Sequence, residues 1–94
     1  MRARLLLRER RIVNESCFAE MVIWQLPPPF PGSRHGFKYR LAFVVDGVCV
    51  LRFDNETGKG DHKHAGEREV PYAFKDLDQL VTDFWNEIER WRPA

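Results

Sequence analysis

The densest chemistry in this chain lies in Asp54-Asn55-Glu56-Thr57-Gly58-Lys59-Gly60-Asp61-His62-Lys63-His64, which gathers two histidines, two lysines and three carboxylates. All are side chains that titrate, ligate metals or hold phosphate. Glycines flank Lys59, so the backbone there can bend and come close to a ligand. Three readings fit. In the first, His62 and His64 transfer protons during cleavage of RNA through its own 2′-hydroxyl, because an imidazole titrates near neutrality. Cationic side chains then hold the charge on phosphorus, and no metal is required. In the second, an extended backbone points His62 and His64 the same way, and with Asp61 or Asp54 they form an acceptable ligand set for zinc or a related ion. In the third, the segment is a solvated connecting loop. It is not a P-loop, since the long glycine spacing and the Ser or Thr after the lysine are missing.

A second polar stretch, Arg34-His35-Gly36-Phe37-Lys38-Tyr39-Arg40, carries the remaining histidine. A lone histidine is more often a surface or capping residue, but beside Arg34, Lys38 and Arg40 it gains weight. Tyr39 or Phe37 could stack on a base.

The elements that would position these stretches follow from pattern. Tyr39–Val45 and Val48–Asp54 flank Asp46-Gly47, a two-residue hairpin signal that needs positive φ. Counting outward from Val45 opposite Val48 pairs Phe43 with Val50, Leu41 with Arg52 and Tyr39 with Asp54. The end away from the turn then brings residues 34–38 beside residues 58–64. Ala3–Val13 reads as an edge strand blunted by arginines, with a helix over Ala3–Arg11 as the alternative. Ser16–Leu26 is apolar on both sides and reads as a central strand covered on both faces, with Trp24, Phe43 and Phe53 assigned to core. Pro27-Pro28-Pro29 ends it. At the C-terminus, Asp76 and Gln79 make a capping-box pattern. Leu77, Leu80, Val81, Phe84, Ile88 and Trp91 recur at helical spacing, leaving Asp78, Asp83, Glu87 and Glu89 on a solvated outer face.

Composition narrows the class. Ninety-four residues suit one domain with a thin core, which seven Phe, three Trp and two Tyr would help to fill. Cys17 and Cys49 lie in apolar runs and read as reduced core residues. The short Leu5-Leu6-Leu7 stretch is too brief for a signal peptide and no run suits a membrane helix, so a cytoplasmic protein is expected. Net charge is +1, but residues 1–66 carry +4 and residues 67–94 carry −3. Contact with a polyanion should therefore be local, on the N-terminal part.

The order of Trp24, a proline-rich loop, His35-Gly36-Phe37-Lys38-Tyr39, a hairpin, Gly58-Lys59-Gly60-Asp61-His62-Lys63-His64, then Pro71-Tyr72-Ala73-Phe74 and an acidic helix ending at Trp91 resembles the TumE-like family of bacterial toxins. The resemblance spans nearly the whole chain. It implies the toxin half of a type II toxin–antitoxin module, with a cognate antitoxin, expected to be a helix-turn-helix protein, as partner. Action on RNA is an analogy with small toxins as a class.

Together these observations set the expectation. The chain is one α+β domain over residues 1–94, with an antiparallel sheet of about four strands over 3–54, a functional loop over 55–72 and one helix over 76–91 packed on a face. The expected activity is a metal-independent ribonuclease without a cofactor. His62 and His64 transfer protons, His35 substitutes, and Lys59, Asp61, Arg34, Lys38, Tyr39 and Arg40 contact substrate. The antitoxin is expected over residues 34–40 and 58–64. Two alternatives stay open: a module that binds nucleic acid or its antitoxin without catalysis, and a metal-dependent hydrolase using His62, His64 and an aspartate.

Overall fold

Turn chemistry sets the order of the strands. The computed structural model describes residues 2–27, 35–56 and 59–92. Among them β1 (Arg4–Asn14), β2 (Cys17–Gln25), β3 (Phe37–Val45), β4 (Val48–Glu56), β5 (Gly60–Ala65) and β6 (Arg68–Pro71) form one antiparallel sheet in chain order, followed by α1 (Leu77–Arg90). Arg34 lies outside the described residues. The Asn14 side-chain oxygen accepts from the Ser16 amide at 2.9 Å and pins the first turn. Asp46 and Gly47 both have positive φ, 50° and 77°, as a type I′ hairpin requires. Gly66, with φ of 62°, opens the β5–β6 turn.

The architecture is α+β as expected, with six strands rather than about four. Residues 60–71, expected as loop, extend the sheet as β5 and β6. Their polar side chains on both faces hide the apolar alternation by which a strand is recognised. What holds β5 is its backbone ladder with β4, which pairs Asp54 with His62 and Arg52 with His64.

One register expectation is corrected. Val45 pairs with Val48 and Val44 with Cys49, but a bulge then shifts the pairing, so Phe43 meets Leu51, Leu41 meets Phe53 and Arg40 meets Asp54. The extra residue, Val50, reverses the faces of all that follows. Leu51, Phe53 and Asn55 turn toward α1, while Arg52 and Asp54 turn away.

α1 covers one face only. Leu80, Phe84 and Ile88 are its buried residues. They join a core of Cys17, Ala19, Met21 and Ile23 from β2 with Tyr39, Leu41, Phe43, Leu51 and Phe53. Each fully buried Leu or Phe contributes about 1.5–3 kcal/mol. The helix starts at Asp76, whose side chain accepts from the Gln79 amide at 2.7 Å, while the Gln79 side chain bonds Asp83 instead of closing the box. Asp83 also accepts from the Tyr72 hydroxyl at 2.6 Å and Glu87 lies 3.4 Å from the Lys63 ammonium, so two acids expected in solvent tie the helix down.

The opposite face is left open. Phe18, Glu20, Val22 and Trp24 alternate with the core residues of β2 and stay half-exposed, so this strand is covered on one side, and Trp24 is not core. Cys17 is buried as expected, but Cys49 is exposed. Among the described residues, no helix is long and apolar enough to cross a membrane.

Candidate functional site

The open face is a grid set by strand pairing. One row across it is Val22, Arg40, Asp54 and His62, and the next is Ala42, Arg52, His64 and Glu69. At the centre, the His62 Nε2 atom lies 2.8 Å from Asp54 Oδ1, and His64 Nε2 lies 3.8 Å from the same oxygen. His62 is 3 % exposed and Asp54 8 %.

Hydrogen bonds constrain one nitrogen on each ring. His62 Nδ1 lies 3.0 Å from the Gly60 carbonyl. A carbonyl only accepts, so Nδ1 carries the proton and a neutral ring presents its Nε2 lone pair to Asp54. His64 Nε2 lies 3.0 Å from the Arg52 guanidinium, which only donates, so the lone pair of His64 Nε2 accepts from Arg52. Its Nδ1 faces Glu69 Oε2 at 3.7 Å. An acceptor facing one ring nitrogen, which leaves the other to a ligand, is the arrangement of metal-ligating histidines. Although close, His62 Nε2 and Asp54 Oδ1 are not aligned as a hydrogen bond, and both are buried without a partner of that kind. Two acceptors so near each other repel unless positive charge lies between them, supplied by a second ring proton or by a cation.

A cation fits the donor set. One nitrogen from each histidine and one Asp54 oxygen all lie within 4.8 Å of one another. Ligands of a tetrahedral ion with bonds near 2.0 Å stand about 3.3 Å apart. Arg52 would have to release His64, while its Nε stays 3.0 Å from Asp54 Oδ2. Glu69 stands at the rim, 4.0 Å from His62 Nε2. Its carboxyl is held below the usual range chiefly by the hydrogen bond from Lys59, whose ammonium lies 2.6 Å away.

A second polar cluster lies across the sheet, on the α1 side. Asp61 Oδ2 accepts from the Tyr39 hydroxyl at 2.7 Å and lies 2.8 Å from His35 Nε2. The Phe37 amide donates to His35 Nδ1 at 3.1 Å, so the proton of a neutral ring is on Nε2, facing Asp61. The ring stacks on Phe74 with centroids 3.7 Å apart. Beneath it the buried Asn55 side chain donates to the Phe37 carbonyl at 2.7 Å and accepts from the Tyr39 amide at 3.1 Å. Burial first, then the bond to Asp61, pushes the Tyr39 hydroxyl well above the usual tyrosine range.

Residues 2–92 match the family described as Toxin TumE. The chain belongs to the TumE toxin family. No curated protein and no solved structure matches it. Membership of a TumE-type toxin family implies a cognate antitoxin as partner.

In this TumE chain the residues anticipated from sequence divide between the two faces. His62 and His64 come together on the open face, with Lys59 at their rim and Arg40 one strand away from Asp54. His35, Asp61 and Tyr39 come together on the other face, so the three histidines do not share one site. Within the described residues, 35–38 do meet 59–64, through the His35–Asp61 contact. Tyr39 is buried, and its hydroxyl donates to Asp61. The Lys38 ammonium donates to the Asn55 carbonyl. Arg52 and Glu69 were not anticipated as parts of the site. The signal available for Arg52 was the i, i+2 pair Arg52/Asp54, matching the i, i+2 pair His62/His64 on a neighbouring strand. Glu69 had no signal, because β6 was not recognised.

Proposed function

We propose that this TumE-family toxin is a metal-dependent hydrolase of RNA phosphodiesters, with Asp54, His62 and His64 holding a divalent ion such as zinc. The observation that carries this reading is the gathering of one nitrogen from each imidazole and one buried carboxylate oxygen within 4.8 Å of one another. Burial argues the same way: a histidine 3 % exposed is poorly placed to exchange protons with a bulky substrate. The separation of His35 removes the third imidazole that a metal-independent mechanism could draw on.

An ion held there would supply a Lewis acid and an activated water for opening a bond between phosphorus and a ribose oxygen. The Glu69 carboxylate, kept ionised by Lys59, stands where it would take the proton given up by that water, and the leaving ribose oxygen would take its proton from solvent. Arg52 and Arg40 offset the phosphate charge from neighbouring strands. The antitoxin, proposed to be a helix-turn-helix protein, would inhibit by covering the open face between Arg40 and His64. Hydrogen exchange of the complex tests this: protection confined to α1 and β1 would contradict it.

The test of the activity is untagged protein assayed on total RNA with chelator, then with zinc or manganese restored, alongside elemental analysis and His62→Ala/His64→Ala. Near-stoichiometric metal and cleavage that a chelator stops support the proposal. Cleavage undiminished in chelator would return the mechanism to proton transfer by His62 and His64. If no metal restores cleavage, a binding role without catalysis becomes the better account.

A further inference from the structure

Beside the Asp54 cluster the open face holds a second feature, a cavity of about 310 Å³ lined by Val22, Trp24, Lys38, Arg40, Asp54 and Glu56 among others. It shares Asp54 with the proposed metal centre, so the two adjoin at that residue. Trp24 and Val22 are partly exposed and belong to no part of the core. Arg40 is exposed, and among the described residues it has no hydrogen-bond or ion-pair partner. The other guanidinium near the centre, Arg52, is engaged by Asp54 and His64.

From this juxtaposition we infer that the Trp24–Arg40 cavity is the subsite for a single-stranded nucleotide next to the scissile phosphate. The base stacks on Trp24 with Val22 beneath it, and the adjoining phosphate is held by Arg40 with Lys38 at its side. The inference rests on the reading of the Asp54 cluster as a phosphodiesterase centre.

Three physical points select this occupant. An aromatic platform with neighbouring cations is how single strands are held without sequence readout. A paired base has its faces occupied, so a duplex cannot offer one to Trp24. The spacing also suits a short strand. Trp24 pairs with Lys38, two residues along from Arg40, and Asp54 is one strand further on. Strand spacing and rise place Trp24 roughly 12 Å from Asp54, a distance that a dinucleotide spans. Glu56, the other acid of the cavity, suits a base edge carrying an amine rather than a phosphate.

The experiment is fluorescence anisotropy of a 5′-fluorescein eight-nucleotide single-stranded RNA, in chelator so that nothing is cut. Wild type is compared with Trp24→Ala, Trp24→Phe and Arg40→Ala, each checked by circular dichroism and for zinc content. Losing a stacked base or a phosphate contact should weaken binding at least fivefold in the two alanine variants. Trp24→Phe should recover most of that, and Arg40→Ala should lower the salt slope by about one. Zinc content should not change. Because binding is read without metal, a failure of the phosphodiesterase reading would appear as absent zinc with the binding losses intact. Wild-type affinity in both alanine variants would overturn the subsite, as would equal affinity for a duplex of the same length. So would a result in which Trp24→Ala spares RNA binding but abolishes neutralisation by the antitoxin, which would make this face a protein-docking surface.

Discussion

Replacing Asp54 with asparagine separates the two electrostatic accounts of its contact with His62. The two side chains are nearly the same size. With its oxygen toward Arg52 Nε and its amide toward His62 Nε2, asparagine donates to the ring where the carboxylate could only accept. If the site is built for an ion, the metal-free wild type already tolerates two acceptors 2.8 Å apart. Removing that repulsion offsets the weakened Arg52 pair, and metal-free Asp54→Asn should melt within about 1 kcal/mol of wild type. If instead His62 is protonated and forms a buried ion pair with Asp54, removing one partner costs about 3–5 kcal/mol. For a chain of this size each kcal/mol moves the midpoint by about 4–8 °C, so that account requires a drop of about 12 °C or more. Zinc gives the complementary arm. At a hundredfold excess over its dissociation constant it stabilises wild type by about 2.7 kcal/mol, a rise of about 11–22 °C, and should leave Asp54→Asn unmoved. The assay is thermal melting by circular dichroism at pH 8, with chelator or with zinc. A large drop for metal-free Asp54→Asn, together with no zinc response in wild type, would refute the reasoning.

Other perturbations probe the α1 side. Asn55→Leu should cost about 2–5 kcal/mol in chemical denaturation, because the Phe37 carbonyl and Tyr39 amide lose their buried partner and each unsatisfied group costs about 1–3 kcal/mol. His35→Phe keeps an aromatic ring against Phe74 but gives up the bond to Asp61; it should lower the melting midpoint while cleavage per folded molecule stays within about twofold of wild type, and a tenfold loss of cleavage would bring His35 back into the chemistry. The folded chain keeps the Tyr39 and Tyr72 protons above the usual tyrosine range. Above pH of about 10 the unfolded chain binds fewer protons, so stability should be flat below that pH and fall as pH rises beyond it. Urea midpoints across this range should fall less steeply for Tyr72→Phe than for wild type.

How much of this was legible in the sequence depends on which residues carried a pattern. The I′ turn at Asp46-Gly47 and the helix from Asp76 follow from local chemistry that few alternatives satisfy, and both are present. β5 and β6 were invisible because their residues serve two polar environments at once. Asp61 and Lys63 face α1, while His62 and His64 face the open side, so strict alternation looked like an undivided polar loop. The same alternation splits the candidate site. Residues adjacent in sequence belong to opposite faces, which is why density of chemistry along the chain overstated what could act together.

The bulge at Val50 is the step on which the site depends, and the sequence did hold a trace of it. Pairing counted strictly from the turn opposes Leu41 with Arg52 and Tyr39 with Asp54, which would bury Arg52 under α1 and expose Phe53. In Leu51-Arg52-Phe53-Asp54 the apolar residues fall on the other phase. A strand whose hydrophobic phase contradicts the register set by its turn needs an extra residue between the two, and that conflict is the physical reason the chain bulges. The core benefits first, since Leu51 and Phe53 reach it. The chemistry follows from the same shift: Asp54, His62 and His64 are held together by the pairing of β4 with β5, and the bulge decides which face they share. Without it the three would turn toward α1, where the core leaves no room for a substrate. The open position of the candidate centre is thus a consequence of satisfying the core on a strand that entered its turn out of phase.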